Sequence, residues 1–191
     1  MTKNQERSFI ARITYDGVDM TFFDQILSSN RFVFDGKSSP APPNIVTTFE
    51  AYNPVTREMV HVGRKRTTTM VIHFQCYDDY YNLQILSEAY YKKYFSKGEQ
   101  GVLGAYPAAG GDTTSFNLLN ASHEIITLDD LSDDNPTIYL KARNAGIIRK
   151  DIWREPAYSS CFTDTSGKIV AFKLDILERQ AASPQHPTPY S

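Results

Sequence analysis

The segment Thr67–Tyr77 constrains the fold of this chain more than any other, because its side chains alternate in character. Alternation with a period of two residues is typical of a β-strand whose two faces meet different surroundings. One face here is apolar and the other is mixed and wettable, so we predict a strand in a sheet that is covered on one side only. The apolar positions are Met70, Ile72, Phe74 and Cys76, and the positions between them are Thr69, Val71, His73 and Gln75.

The spacing of apolar residues changes directly after this strand, at Asp78-Asp79. Aspartate caps the free backbone amides at the start of a helix and favours its positive end. Apolar residues then follow a helical stripe, and Gly98 is a natural terminator. The pattern predicts one principal α-helix at about 79–96, packed outside the sheet. The stripe contains Leu83, Leu86, Tyr90 and Tyr94, and Tyr80, Tyr91 and Phe95 lie beside it.

Those three flanking aromatic residues make the apolar sector of the predicted helix wider than one contact with a sheet requires. Tyrosine combines apolar area with a polar tip, and it is common at interfaces between proteins. We therefore expect a loop or another subunit to cover this flank.

Most of the remaining chain is β-like. Phe9–Tyr15 is a predicted strand followed by the turn dipeptide Asp16-Gly17, Arg31–Phe34 is a short one, and Lys168–Glu178 alternates again. Together with the predicted helix, these segments indicate an α+β fold that is mainly β, built on an antiparallel sheet or β-sandwich.

A hairpin arm is predicted over residues 44–63. Ile45–Tyr52 and Glu58–Val62 are β-like, and Asn53-Pro54 between them marks a turn. The polar tip of this hairpin makes it a candidate for an extended arm.

The length of 191 residues suits one domain, which we place at 1–179. The segment 97–115 is rich in glycine and has no periodicity, so we expect a loop insertion there. The segment 180–191 contains several prolines and no core-forming pattern, which predicts a flexible or docked tail.

Charge and composition exclude several classes of function. The formal net charge is −2, which provides no global field to attract nucleic acid or an anionic membrane. No apolar stretch approaches the roughly 20 residues that span a bilayer, so we expect a soluble protein without a membrane partner. Only two cysteines occur, Cys76 and Cys161, and we expect them to be reduced and buried.

No motif indicates catalysis, a metal ion or a cofactor, so we do not expect an enzyme. In a strand His73 and Cys76 point to opposite faces and cannot easily form a nucleophilic pair. The histidines, an acidic cluster and a glycine series also lack the spacing of zinc, calcium and phosphate sites. These residues are His61, His73, His123 and His186; Asp129, Asp130, Asp133 and Asp134; and Gly98, Gly101 and Gly104.

The basic triplet Arg64-Lys65-Arg66 is the one feature that favours a nucleic-acid-binding module, with nearby tyrosines stacking on bases. The balanced net charge and the lack of a wider basic run favour instead a solvated turn or an inter-subunit salt bridge.

The order of these elements resembles the tail-tube proteins of contractile-tailed bacteriophages and related injection systems. A proline-rich turn precedes the hairpin arm, the alternating strand, the acidic-capped helix, a long insertion and two closing strands. The most similar residues are Pro43–Val46, Arg57–Gly63 and Arg66–Phe74, then Ala145–Ile148, Ile152–Pro156 and Lys168–Leu177.

The resemblance implies a structural virion protein that forms hexameric rings. Their sheets would join into a barrel between subunits, and the stacked rings would form the tail tube through which DNA is ejected without sequence-specific binding. The implied partners are further copies of the chain and the sheath, tape-measure and baseplate proteins, in the host cytoplasm during assembly and then in the virion tail. Candidate interface residues are Ile45, Phe49, Tyr52, Arg57, Arg64, Arg66, Tyr80, Tyr91 and Phe95, and candidate lumen-facing residues are Thr69, His73 and Gln75.

The chain also departs from a minimal tube subunit. Its N-terminal region through Met20–Ser29, the insertion and the proline-rich tail are longer than such a subunit needs. These departures leave open a baseplate-proximal or tail-terminator adaptor ring in place of the main tube subunit.

Overall fold

More of this chain forms β-strands than the sequence predicts. The computed structural model describes residues 2–27, 43–53, 55–61, 69–98, 101–107, 115–153, 159–181 and 189–190. Strands dominate these residues, so the predicted mainly β fold class is confirmed.

The described residues form sixteen strands, two short α-helices and one 3₁₀ turn. The first half contains α1 (Lys3–Glu6), β1 (Phe9–Tyr15), β2 (Val18–Phe22), α2 (Phe23–Leu27), β3 (Val46–Thr48), β4 (Glu50–Asn53), β5 (Glu58–His61), β6 (Val71–Tyr77) and β7 (Tyr80–Ile85). The second half contains β8 (Tyr94–Lys97), β9 (Leu103–Tyr106), β10 (Ser115–Leu119), β11 (Ile125–Ile126), the 3₁₀ turn (Leu128–Asp130), β12 (Thr137–Ala142), β13 (Arg149–Trp153), β14 (Ser159–Thr163), β15 (Lys168–Ile169) and β16 (Phe172–Arg179).

Six of these strands close into an antiparallel barrel within one chain. Their order is β10, β12, β16, β1, β6 and β7, and β7 pairs with β10 to complete the ring. The closing register joins Asn82 to Ser115 and Tyr81 to Phe116. The resemblance to tail-tube proteins implies a barrel that closes between subunits, whereas the barrel seen here closes within one chain.

Aromatic side chains fill the centre of the barrel. Phe9 and Phe74 face each other across β1 and β6, with ring centroids 4.4 Å apart and nearly parallel planes. Tyr81 meets both rings edge-on, and its hydroxyl accepts a hydrogen bond from the backbone N–H of Leu128 at 3.0 Å. All three residues are fully buried, so the barrel encloses a packed core.

A second sheet of five strands lies beside the barrel, in the order β15, β13, β14, β4 and β5. Every residue of β14 is buried, because the strand is covered on both faces. Phe162 packs on Phe172 and Tyr15 in the main core, whereas Cys161 joins a smaller core cluster with Phe23 and Val102. β14 therefore holds the second sheet against the barrel.

The helix predicted at 79–96 is wrong. Asp78 and Asp79 form the tight turn of a hairpin in which Tyr77 pairs with Tyr80, and Asp78 has a φ of 64°. Aspartate tolerates this left-handed conformation, so it fits a turn as well as a helix cap. Beyond the turn, Tyr81, Leu83 and Ile85 alternate inward as β7, and their burial in the barrel decides in favour of the strand.

The outer face of β6 is also covered, contrary to prediction. Val71 and His73 are buried there, and the C-terminal part of the chain contributes Ala181 and Tyr190 to the cover. The backbone N–H of Tyr190 donates to the carbonyl of Leu86 at 2.8 Å. The predicted tail is therefore docked at this residue.

The loop predicted at 97–115 contains regular structure. Leu103–Tyr106 forms β9, which pairs with β8 in the register Tyr94↔Tyr106 to Lys97↔Leu103. The strand predicted at Arg31–Phe34 lies outside the described residues.

Candidate assembly surface

The two β-like segments on either side of Asn53-Pro54 pair as an antiparallel hairpin. β4 and β5 are joined in a register that runs from Glu50↔His61 to Asn53↔Glu58. Among the described strands, β5 is the last of the second sheet. At the turn Val55 is 88% exposed, and Arg57 takes a φ of 60°. The hairpin thus presents an exposed apolar side chain at its tip.

The base of the hairpin is fixed to the rest of the fold by a charged contact. Lys150 on β13 places its Nζ 3.2 Å from Glu50 Oε2, and the same Nζ lies 4.4 Å from the ring centroid of Tyr15 on β1. Thr48 Oγ1 donates a further hydrogen bond to Glu50 Oε2 at 3.4 Å. Both charged side chains are largely buried, so this contact fixes the base of the arm.

The candidate interface residues of the arm differ in burial. Ile45 and Phe49 are buried at its base and support the fold, whereas Arg57 is exposed at its turn. Tyr52 lies in β4, and the structure does not describe its side chain. Arg64 and Arg66 lie outside the described residues.

The three aromatic residues predicted along one helix flank do not share a surface. Phe95 is fully buried in the main core, so it is not exposed for a contact between folded subunits. Tyr91 packs with the outer cluster beside Tyr190. Tyr80 stacks on Tyr77, and the guanidinium of Arg143 lies 3.9 Å from its ring centroid.

The candidate lumen residues lie outside the barrel and do not line a channel within this chain. Thr69 precedes β6 and is partly buried. His73 is 1% exposed, and its Nε2 lies 3.0 Å from the carbonyl oxygen of Ala181. Gln75 is partly buried on the same face. The prediction that His73 faces a wet lumen is therefore wrong for the folded chain, because the C-terminal segment covers it.

The thiols of Cys76 and Cys161 and the phenol of Tyr81 are buried in the core. Burial raises the pKa of Cys161 to about 12 and also raises the pKa of Cys76. Burial likewise raises the pKa of Tyr81 far above its ordinary value. Protonated thiols are poor nucleophiles and poor metal ligands. Within the described ranges, no group of three or more His, Cys, Asp or Glu side chains could hold a metal ion.

Sequence reasoning missed a buried ion pair that joins the two sheets. Lys97 Nζ at the end of β8 lies 2.6 Å from Asp164 Oδ2, and the same oxygen accepts the backbone N–H of Gly146 at 3.3 Å. The pairing links positions far apart in the chain, and no local pattern indicates it.

Comparison with family models, curated proteins and solved structures found no match for this chain. Among the described residues, neither helix has the length and apolar character needed to span a bilayer.

Proposed function

We propose that this chain is a structural subunit that assembles with copies of itself into hexameric rings of a bacteriophage tail tube. The rings would stack into the conduit for DNA ejection and would contact sheath, tape-measure and baseplate proteins. The observation that carries this proposal is the β4–β5 hairpin, which ends the second sheet and is fixed at its base by the Glu50–Lys150 pair.

A hairpin that ends a sheet is suited to assembly. The tip of this one exposes Val55, and Ile152 on β13 of the same sheet is 42% exposed. Exposed apolar side chains release water when a partner covers them, which drives association. A strand at the end of a sheet also offers unpaired backbone groups to a further strand.

The proposal rests on only part of the ordered pattern that resembles tail-tube proteins. The hairpin arm, the alternating strand β6 and the closing strand β16 stand where the resemblance requires strands. The helix after β6 does not exist, which removes one element of that pattern. The nucleic-acid alternative gains no support, because Arg64–Arg66 lies outside the described residues.

Electron microscopy of the purified full chain tests the assembly directly. We expect six-fold rings or tubes, and we expect deletion of Asn53–Thr56 to abolish them while the monomer keeps its unfolding temperature. Rings of another symmetry would contradict the hexamer, and normal tubes from the deletion variant would contradict the role of the arm.

A matched pair of single substitutions separates the arm from surface apolarity in general. Val55→Glu and Ile125→Glu each place a charge at an exposed apolar position, the first at the arm tip and the second in β11 of the barrel sheet. We expect Val55→Glu alone to prevent assembly. Equal assembly by the two variants would contradict the proposal that the arm makes the contact.

A further inference from the structure

A polar cleft of about 430 Å³ opens on the outside of the barrel. The N-terminal segment forms one side of it, the outer face of β6 forms its floor, and Tyr94 of β8 closes the other side. Among the described residues, its lining contains amides, hydroxyls and an imidazole but no Asp, Glu, Lys or Arg. These residues therefore provide hydrogen-bonding capacity without a formal charge.

A chain of hydrogen bonds holds the floor of this cleft in one arrangement. Gln75 Nε2 lies 3.2 Å from His73 Nδ1 and 3.1 Å from Gln84 Oε1, and Gln84 Nε2 donates to the hydroxyl of Tyr94 at 3.1 Å. An amide nitrogen can only donate, so His73 Nδ1 accepts and its Nε2 donates to the carbonyl of Ala181.

This chain leaves specific groups available to a ligand. Both protons of Gln75 Nε2 are used, and its Oε1 has no partner among the described residues. The hydroxyl of Tyr94 accepts from Gln84, so its own proton can be donated elsewhere. A fixed acceptor and a fixed donor therefore lie on two sides of the same cleft.

The N-terminal segment adds oriented amides. Gln5 Oε1 accepts the backbone N–H of Thr2 at 2.9 Å, and Asn4 Oδ1 accepts the backbone N–H of Asp78 at 3.1 Å. Each contact uses the oxygen of the side-chain amide and leaves its Nε2 or Nδ2 without a partner among the described residues. The cleft thus combines amide donors with the acceptor of Gln75.

An aromatic ring completes the wall. Tyr77 lines the cleft and is 42% exposed. Tyr80 stacks on it with centroids 5.9 Å apart and planes 17° from parallel, and Arg143 covers the Tyr80 ring in turn. This stack holds Tyr77 in place, because neighbouring rings restrict its rotation.

We propose that this cleft binds a neutral saccharide. Vicinal hydroxyl groups both donate and accept, which matches side-chain amides and hydroxyls held in fixed positions. The C–H face of a pyranose ring is apolar and packs on a tyrosine ring. Polyanions such as nucleic acids need Lys or Arg to neutralise their charge, and the described residues of the lining include neither. The proposal does not depend on the assembly proposed above.

A glycan microarray that carries neutral, sialylated and sulfated glycans tests this proposal on the full chain. We expect binding to neutral glycans, and the strongest of them then serves as the probe for affinity measurements. Tyr77→Ala should weaken that affinity about tenfold because the platform is lost, whereas Tyr77→Phe should retain it.

Two tyrosine variants on paired strands provide a matched control. Tyr94→Phe removes the donor hydroxyl in the cleft and should weaken binding about fivefold. Tyr106→Phe removes the same group from the residue that pairs with Tyr94 in β9 but does not line the cleft, and it should leave binding unchanged. Thermal unfolding of each variant shows that it is folded.

The proposal is overturned if no neutral glycan binds or if only charged glycans bind. It also fails if Tyr77→Ala and Tyr94→Phe bind the probe as the wild type does. Binding of a single-stranded RNA or a peptide at these residues, in place of a glycan, would contradict it as well. Tubes seen without glycan binding, or glycan binding without tubes, would separate this proposal from the assembly.

Discussion

The barrel and the second sheet use the same antiparallel pairing but bury different chemistry. The barrel fills its interior with rings such as Phe9, Phe74 and Tyr81. The second sheet instead buries the hydroxyls of Ser159 and Ser160, which have no hydrogen-bond partner among the described residues. An unsatisfied buried hydroxyl costs about 1–3 kcal/mol. Because this cost falls on the second sheet, we expect the barrel to contribute more to the stability of the fold.

Apolar and charged contacts both join the two regions. Phe162 packs on Tyr15 and Phe172, and Cys161 clusters with Phe23 and Val102. The charged contacts are the Lys97–Asp164 pair and the ammonium of Lys150 over the ring of Tyr15. A sheet attached in this way can vary at its exposed positions without disturbing the barrel. The β4–β5 hairpin belongs to this second sheet.

The largest test of this comparison is Phe74→Ala. Phe74 is fully buried and contacts two other rings, so its truncation leaves a cavity at the centre of the barrel. We expect the free energy of unfolding to fall by about 3–5 kcal/mol. Urea denaturation followed by circular dichroism measures this loss.

Ile152→Ala in the second sheet is the control for that experiment, because Ile152 is half-exposed. We expect a change of less than about 0.5 kcal/mol. Similar losses for both variants would show that stability is shared evenly between the two regions, against our comparison.

Removal of one partner from the Lys97–Asp164 pair should have the next largest effect. In Lys97→Met the carboxylate of Asp164 stays buried without its cation, and we expect a loss of about 3 kcal/mol in unfolding free energy. The double variant Lys97→Met/Asp164→Asn removes the charge and should recover part of this loss. Chemical denaturation of both variants measures the difference.

The pair Arg12–Asp175 on the barrel surface is the matched control. Both of its side chains are more than 40% exposed at a separation of 2.9 Å. Arg12→Met should therefore cost less than about 1 kcal/mol. A loss as large as that of Lys97→Met would contradict a buried charged link between the regions.

The pH dependence of stability tests whether the smaller core of the second sheet stays dry. The unfolded thiol of Cys161 ionises near a pKa of about 8.5, whereas burial keeps the folded thiol protonated up to a pKa of about 12. Between these values the folded state binds more protons, so this residue lowers stability as pH rises, by up to about 1.4 kcal/mol per unit.

We expect Cys161→Ala to reduce the loss of stability at alkaline pH by the contribution of one thiol. Urea denaturation at pH 8, 9 and 10 measures this change. Thr163→Ala on the same strand has no ionisable group to lose, so it should shift stability by a constant amount. Parallel curves for Cys161→Ala and wild type would show that water reaches this core.

The sequence predicts strands well where one pattern is present and fails where two coincide. Phe9–Tyr15 is predicted with its observed bounds because its alternation has no helical competitor. Over 79–96 a helical pattern overlaps with a strand pattern. Tyr81, Leu83 and Ile85 fit the strand. The choice depends on pairing with Phe74 and Phe116, which lie elsewhere in the chain.

The candidate sites depend on distant pairing even more. The arm is local, so its turn at Asn53-Pro54 predicts it. The cleft brings Gln5 beside Gln75 and Tyr94, and the buried pair brings Lys97 to Asp164. No periodicity connects such positions, because they meet only when the barrel closes.

Lys92→Gly has the smallest expected effect, but its sign separates the barrel hairpin from the helix that the sequence predicts. Lys92 is exposed in the turn between β7 and β8 and has a φ of 64°. A non-glycine residue in this region is strained by about 1–2 kcal/mol, so glycine should stabilise the fold. In a helix the same substitution would destabilise it by about 1 kcal/mol. Lys92→Ala is the control, since it removes the same side chain and keeps the strain. Thermal unfolding that ranks glycine below alanine would contradict the turn and restore the helix.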